Sequence, residues 1–152
     1  AITLKPDYAE AYYNLGLMLQ ELSRLDEAET SYAQAIAFKP DYPEAHSNLG
    51  NTRRELGRLE EAEASYAQAI VLKPDYVEVH NNLGITLQDL GRLDEAEVSC
   101  REAIALKSDF AEAHSTLGAV LLKKGRHREG INEKLIGAGA IFFDLNNGIS
   151  IL

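Results

Sequence analysis

An all-α solenoid of antiparallel helix pairs is predicted by three features of the chain. A twelve-residue pattern returns every 34 residues, apolar residues within each period fall at helical spacing, and proline or glycine stands at the joints. The pattern reads Lys39-Pro40-Asp41-Tyr42-Pro43-Glu44-Ala45-His46-Ser47-Asn48-Leu49-Gly50. Upstream it is Lys5-Pro6-Asp7-Tyr8-Ala9-Glu10-Ala11-Tyr12-Tyr13-Asn14-Leu15-Gly16, and downstream Lys73-Pro74-Asp75-Tyr76-Val77-Glu78-Val79-His80-Asn81-Asn82-Leu83-Gly84. A weaker copy starts at Lys107, with Ser108 for the proline, Phe110 for the tyrosine and Thr116 for the asparagine. A unit of this size buries its apolar face only when neighbours stack on it, so the chain reads as a row of units rather than one compact core.

The units are expected at residues 9–42, 43–76 and 77–110, with a degenerate fourth at 111–137. Residues 1–8 match the end of a preceding repeat, and the chain reads as a piece of a longer protein. Each unit opens with an aspartate followed three residues later by a glutamate: Asp7/Glu10, Asp41/Glu44, Asp75/Glu78, Asp109/Glu112. This spacing predicts a capping box, and the proline before it ends the previous helix. The first helix of the first unit is expected from about Tyr8 to Leu22, burying Tyr12, Leu15, Gly16, Leu19 and Leu22. Gly57, Gly91 and Gly125 follow the equivalent helices as left-handed C-caps, with Ser23 the exception.

A second helix is expected from Leu25 to about Phe38. Its inward stripe is Leu25, Ala28, Tyr32, Ala35 and Phe38, repeated as Leu59, Ala62, Tyr66, Ala69, Leu72 and as Leu93, Ala96, Cys100, Ala103, Leu106. Small residues in fixed columns bring paired helices together while the aromatic column fills the wider gap. In the fourth unit Gly130, Lys134 and Gly137 replace the alanine, the aromatic and the second alanine, which predicts looser packing there. Residues 138–152 form a tail. Apolar, β-prone residues on either side of Asn147-Gly148 read as a short β-hairpin or the start of a following domain.

Composition narrows the function. Net charge is -9, which argues against nonspecific nucleic-acid binding. The acidity lies in the repeats: residues 1–107 hold 10 Lys/Arg against 19 Asp/Glu, while residues 108–152 hold 5 of each. No apolar run reaches the length of a membrane span. The single cysteine, Cys100, excludes an intramolecular disulfide and fits a reducing compartment, so a cytoplasmic location is expected.

Helix-turn-helix units of this length, with aromatic, Leu-Gly, Ala, aromatic, Ala and Pro in this order, resemble tetratricopeptide repeats over residues 1–137. The segments Ala-Glu-Ala-Tyr-Tyr-Asn-Leu-Gly and Leu-Lys-Pro-Asp-Tyr are particularly similar to the repeats of O-linked N-acetylglucosamine transferases. The resemblance implies a right-handed superhelix whose first helices line a concave groove, and a binding module rather than the enzyme.

Several residues invite chemistry and are better explained by packing. His46, His80 and His114 share a column with Tyr12, but successive units place them ~8 to 10 Å apart, too far for ligands at ~2 Å from one metal. His127 stands alone in a turn. Cys100 takes the place of core tyrosines and reads as an inert buried thiol. Gly137-Ala138-Gly139 has neither the preceding strand nor the following Lys-Ser/Thr of a phosphate loop. No nucleophile, base and orienting group come together in the pattern, so neither catalysis nor a cofactor nor a metal is expected.

The remaining candidate is the face of each first helix opposite its buried stripe. It carries Glu10, Asn14, Leu17 and Glu21; then Glu44, Asn48, Asn51 and Glu55; then Glu78, Asn82, Ile85 and Asp89; then Glu112, Thr116, Ala119 and Lys123. Capping accounts for the first glutamates. Asparagine is a mediocre helix former, and nothing in helix packing calls for it in mid-helix three times. In the transferase repeats the corresponding asparagines form a ladder that holds peptide main chain, which Asn14, Asn48 and Asn82 match and Thr116 does not.

The expected function is therefore recognition of an extended protein segment. Asn14, Asn48 and Asn82 would hold its main chain, with Asn51 beside them on the peptide-binding face, Leu17 and Ile85 would give apolar contact, and Glu21, Glu55 and Asp89 would disfavour acidic partners. A clamp of lysines and arginines for a terminal carboxylate is absent from these columns. The alternatives are a self-associating scaffold, joined end to end or through the tail, and the non-catalytic arm of a larger enzyme such as a glycosyltransferase.

Overall fold

The computed structural model describes residues 6–139, 141–144 and 148–151, with side chains described from Tyr8 to Gly139. The preceding repeat end at residues 1–5 and the turn containing Asn147 lie outside the described residues. The chain divides into two compact units, Ala1–Pro74 and Asp75–Leu152. The first holds α1 (Pro6–Glu21), α2 (Leu25–Phe38), α3 (Pro43–Glu55) and α4 (Leu59–Leu72). The second holds α5 (Val77–Asp89), α6 (Leu93–Leu106), α7 (Ala111–Lys123), α8 (His127–Gly137) and a hairpin of β1 (Ile141–Asp144) with β2 (Gly148–Ile151). The fold is all-α apart from that tail, as the periodicity predicts. β1 and β2 run antiparallel, with Ile141 opposite Ile151 and Phe143 opposite Ile149.

Within the first three hairpins one lock recurs. Ala28, Tyr32 and Ala35 of α2 are fully buried, as are Ala62, Tyr66 and Ala69 of α4 and Ala96, Cys100 and Ala103 of α6. A Cβ added at Gly16 would stand 2.6 Å from the Tyr32 ring, one at Gly50 2.6 Å from the Tyr66 ring, and one at Gly84 2.7 Å from the Cys100 sulfur. The glycine of the first helix is thus the seat of the bulky residue of the second. Full burial of Tyr32 and of Tyr66 contributes about 1.5–3 kcal/mol each. Turns close as expected: Gly57, Gly91 and Gly125 take positive φ, and Ser23 does so at φ 58 without being glycine.

Four expectations need correction. The aspartates do not cap: the N-cap residues of α3, α5 and α7 are Tyr42, Tyr76 and Phe110, with no side-chain cap hydrogen bond. Asp41, Asp75 and Asp109 each lie one residue too early to reach the first free amides. Glu44, Glu78 and Glu112 fall in the first turn, where the positive end of the helix dipole favours them.

The stripe of α1 is only partly buried. Gly16 and Leu19 are inside, Tyr12 is half-buried, and Leu15 and Leu22 are exposed. That stripe has two sides, and the buried residues are those facing its own partner helix. The ends of the second-helix stripe are also outside the buried set: Leu25, Phe38, Leu59, Leu72 and Leu93 are half-buried and Leu106 is exposed.

The fourth helix pair is not loosely packed. A Cβ at Gly130 would meet the Gly118 carbonyl oxygen at 2.8 Å, and one at Gly137 the Ala111 carbonyl oxygen at 2.8 Å. Glycine on both helices lets the backbones of α7 and α8 meet directly, so the lost aromatic is compensated by closer approach.

Between successive hairpins the structure shows ion pairs that periodicity alone did not bring together. In the first unit Glu29 of α2 accepts from Arg53 Nε at 3.0 Å and from Arg58 of the α3–α4 turn. In the second, Glu97 of α6 binds Lys124 at 2.7 Å and Arg126 at 3.0 Å, both near the α7–α8 turn, while Arg101 reaches it from its own helix at 2.8 Å. The histidine column fastens loops instead of holding metal. His46 Nε2 lies 3.0 Å from the Pro40 carbonyl oxygen and His114 Nε2 lies 2.7 Å from that of Ser108, with Glu133 Oε2 2.6 Å from His114 Nδ1.

Candidate peptide-binding face

The first unit presents its candidate face on α1 and α3. Asn14 is exposed, and among the described residues its side chain makes no hydrogen bond. Asn48, one repeat on, is half-buried and engaged: Nδ2 donates to the Tyr13 phenol oxygen at 3.0 Å, and Oδ1 accepts from Asn51 Nδ2 at 3.4 Å. An amide carries two N–H donors and two acceptor lone pairs, so each end of Asn48 keeps one site for a ligand.

Asn51 has a different task from the one its position suggested. Its Oδ1 accepts from the Tyr66 hydroxyl at 2.7 Å, so it anchors the core tyrosine of α4 and orients Asn48. Leu17 packs partly into the cluster of Leu19, Ala28, Tyr32 and Leu49, leaving only an edge on the face. Glu21 and Glu55 are both exposed, and Glu55 accepts from Gln20 Nε2 at 3.0 Å. Gln20 Oε1 in turn accepts from the Tyr32 hydroxyl at 2.9 Å.

Two aromatic residues join this face that the column reading missed. Tyr13 stacks obliquely on Tyr42, ring centroids 5.0 Å apart, and Lys39 Nζ stands 4.6 Å above the Tyr42 ring. The signal was present in the sequence: Tyr13 interrupts a column otherwise filled by Ser47, Asn81 and Ser115. Burial raises the phenol pKa of Tyr42, with Tyr13, Glu10 and Glu44 adding to it. Burial likewise pushes the Tyr66 phenol up to about 12. These hydroxyls stay protonated and able to donate.

In the second unit Asn82 and Ile85 are half-buried on α5 and Asp89 is exposed near its end. The Asn82 carbonyl accepts from Thr86 Oγ1 at 2.9 Å. On α7, Thr116 Oγ1 donates back to the Glu112 carbonyl at 2.9 Å, so its hydroxyl is spent on its own helix and does not replace an amide. Burial pushes the Cys100 thiol up to about 12. Among the described residues no group of three or more His, Cys, Asp or Glu side chains could hold a metal ion, and no helix is long and apolar enough to cross a membrane.

Comparison with known proteins agrees with this architecture. No curated protein matches the chain. Among solved structures, the crystal structure of MamA superposes with a TM-score of 0.82 at 21% identity, covering 88% of this chain and 78% of that one. MamA from Desulfovibrio magneticus RS-1 gives 0.80 at 17% identity, covering 90% and 75%. The first TPR of Spaghetti (RPAP3), bound to an HSP90 peptide, gives 0.79 at 20% identity, covering 82% and 99%. At such identities these likenesses show the fold. Family models described as TPR repeat match residues 18–53 and 50–91, and models described as tetratricopeptide repeat match residues 1–30 and 77–110. With matched segments running from residue 1 to residue 110, and glycine of the first helix seated against the buried Tyr32, Tyr66 or Cys100 of the second in each hairpin there, the chain belongs to the tetratricopeptide repeat family.

Proposed function

We propose that the chain is a protein-protein interaction module that holds an extended peptide segment against the face of its first helices. The observation that carries this reading is the pair Asn14 and Asn48. One amide is exposed without a side-chain hydrogen bond among the described residues, and the other is held by Tyr13 and Asn51 with half its capacity left over. Such groups suit the alternating N–H and C=O of an extended main chain, which gives broad sequence tolerance. On α5 of the second unit, Asn82 offers one further amide.

Selectivity comes from the surroundings. Glu21, Glu55 and Asp89 disfavour an acidic segment and favour lysine or arginine, while Tyr13 and Tyr42 offer ring faces. This sets the chain apart from its neighbour carrying an HSP90 peptide that ends in Glu-Glu-Val-Asp. The test uses two extended peptides of equal length, one with three lysines and one with three glutamates, titrated against the full chain by fluorescence anisotropy. The lysine peptide should bind more tightly, and Asn14→Ala, Asn48→Ala and Asn82→Ala together should weaken it about tenfold or more. Preference for the glutamate peptide, or indifference to the triple substitution, would refute the reading.

A second reading, the non-catalytic arm of a glycosyltransferase, is favoured by the wording Ala9-Glu10-Ala11-Tyr12-Tyr13-Asn14-Leu15-Gly16. The reading frame beyond Leu152 decides it by encoding a transferase domain or not.

A further inference from the structure

On the candidate face of the first unit, the Tyr42 ring already holds a cation. Lys39 Nζ stands 4.6 Å from its centroid, and this exposed lysine makes no ion pair among the described residues. The half-buried Tyr42 ring also has Tyr13 beside it, centroids 5.0 Å apart and planes at 34°. Tyr13 is fixed there by Asn48, whose Nδ2 donates to its phenol oxygen. Burial first, then Tyr13, Glu10 and Glu44 raise the Tyr42 phenol pKa, so both carboxylates act on this ring. Two rings, two carboxylates and an amide that faces main chain therefore meet at one place. Such surroundings favour an ammonium over the ring face.

The second unit shows which part of this belongs to the loop alone. Lys107 Nζ stands over the Phe110 ring at 5.7 Å, the same spacing of three residues, but Asn81 occupies the place of Tyr13. A lysine over the aromatic residue before a first helix is thus repeated. The second ring beside a ladder amide is the property of Tyr42 and Tyr13.

We infer that Tyr42, with Tyr13, Glu10 and Glu44 around it, is the subsite for a lysine side chain of the bound segment, and that Lys39 fills it in the free chain. The inference rests on the peptide-face reading and names where its preference for a cation is exerted. Binding is then an exchange: the incoming ammonium takes the ring and Lys39 swings into solvent. Because one lysine leaves as another arrives, the ring adds little net affinity while Lys39 is present. Lys39 acts as a built-in competitor.

The probes are the extended peptide with three lysines and its counterpart with three norleucines, titrated against the full chain by fluorescence anisotropy. Lys39→Ala should tighten the lysine peptide about threefold, the value of one exposed ammonium on a ring. Tyr42→Leu alone should change its affinity little, and Lys39→Ala in the Tyr42→Leu background should give no gain. Tyr42→Phe keeps the ring and should keep the gain, which holds the test open should the leucine variant fold poorly. The norleucine peptide should not respond to Lys39→Ala. Absence of the gain, a gain that survives Tyr42→Leu, or an equal gain for norleucine would overturn the subsite. Those results alongside a tenfold loss in the triple asparagine variant would leave the peptide face standing without it. A gain that follows the ring in a chain indifferent to the triple substitution would support the subsite and remove the amides. Failure of Lys39→Ala to bind the lysine peptide would overturn both.

Discussion

Asn48 donates from Nδ2 to the phenol oxygen of Tyr13 across 3.0 Å, tying α3 to α1 between residues 35 positions apart. The bond gives Asn48 two roles where Asn14 has one. Asn14→Ala removes an exposed side chain with no hydrogen bond among the described residues, so it should hold or slightly raise the thermal midpoint, alanine being the better helix former. Asn48→Ala removes a bond to a half-buried phenol, costing about 0.5–1.5 kcal/mol. Thermal denaturation of the two single variants checks this. Equal midpoints would mean that the Tyr13 bond contributes nothing.

Gly130 lies inside α8, where glycine costs ~1 kcal/mol relative to alanine on helix propensity alone. Alanine also stands at the equivalent Ala28, Ala62 and Ala96. Gly130→Ala should nevertheless destabilise, because the new methyl would meet the Gly118 carbonyl oxygen at 2.8 Å and the Leu122 amide nitrogen at 3.0 Å, and backbone cannot swing aside. We expect a loss of about 1–3 kcal/mol in chemical denaturation. A gain would show that α7 and α8 have room to part. Ala62→Leu, at a fully buried site in the first unit, should cost a similar amount by the same overpacking.

Glu97 makes stability depend on acid. Its carboxyl falls from 4.5 to about 2, first through the hydrogen bond from Lys124, with Arg101 and Arg126 adding and burial opposing. A carboxylate depressed in the folded state stabilises fully above its unfolded value and loses that contribution as pH falls through its folded value. The window is therefore about pH 5 down to about pH 2, with an effect on the order of 1–3 kcal/mol after solvent screening. Urea midpoints over that range should fall less steeply for Glu97→Gln than for the parent chain. Parallel slopes would remove Glu97 from the account.

Cys100 should react with a thiol reagent only as fast as the chain opens, since burial holds it protonated up to about 12 and closes access. At pH 8 a native sample should show a slow, denaturant-dependent labelling rate. Immediate labelling would place the thiol at the surface.

Glu29 and Arg58, like Glu97 and Arg126, stand 29 residues apart in the chain. Nothing in one helix marks that separation as a contact; it becomes one only when hairpins stack. Helix limits and the glycine turns were legible because they depend on local backbone. The side chains that shape the candidate face, Tyr13 and Asn51 above all, were not, because their partners come from other helices. The aspartates misled for a related reason: a capping spacing is satisfied one residue early when an aromatic residue takes the cap itself.

Ser23 closes the first turn with the same two backbone bonds that Gly57 uses in the second: Ser23 N–H to Gln20 and Arg24 N–H to Leu19, against Gly57 N–H to Arg54 and Arg58 N–H to Arg53. Only the cost of the left-handed backbone differs, on the order of 1 kcal/mol for a residue with a Cβ. Amide hydrogens at Ser23 and Arg24 should then exchange with solvent severalfold faster than those at Gly57 and Arg58. Of these two turns, the one closed by serine should open the more readily.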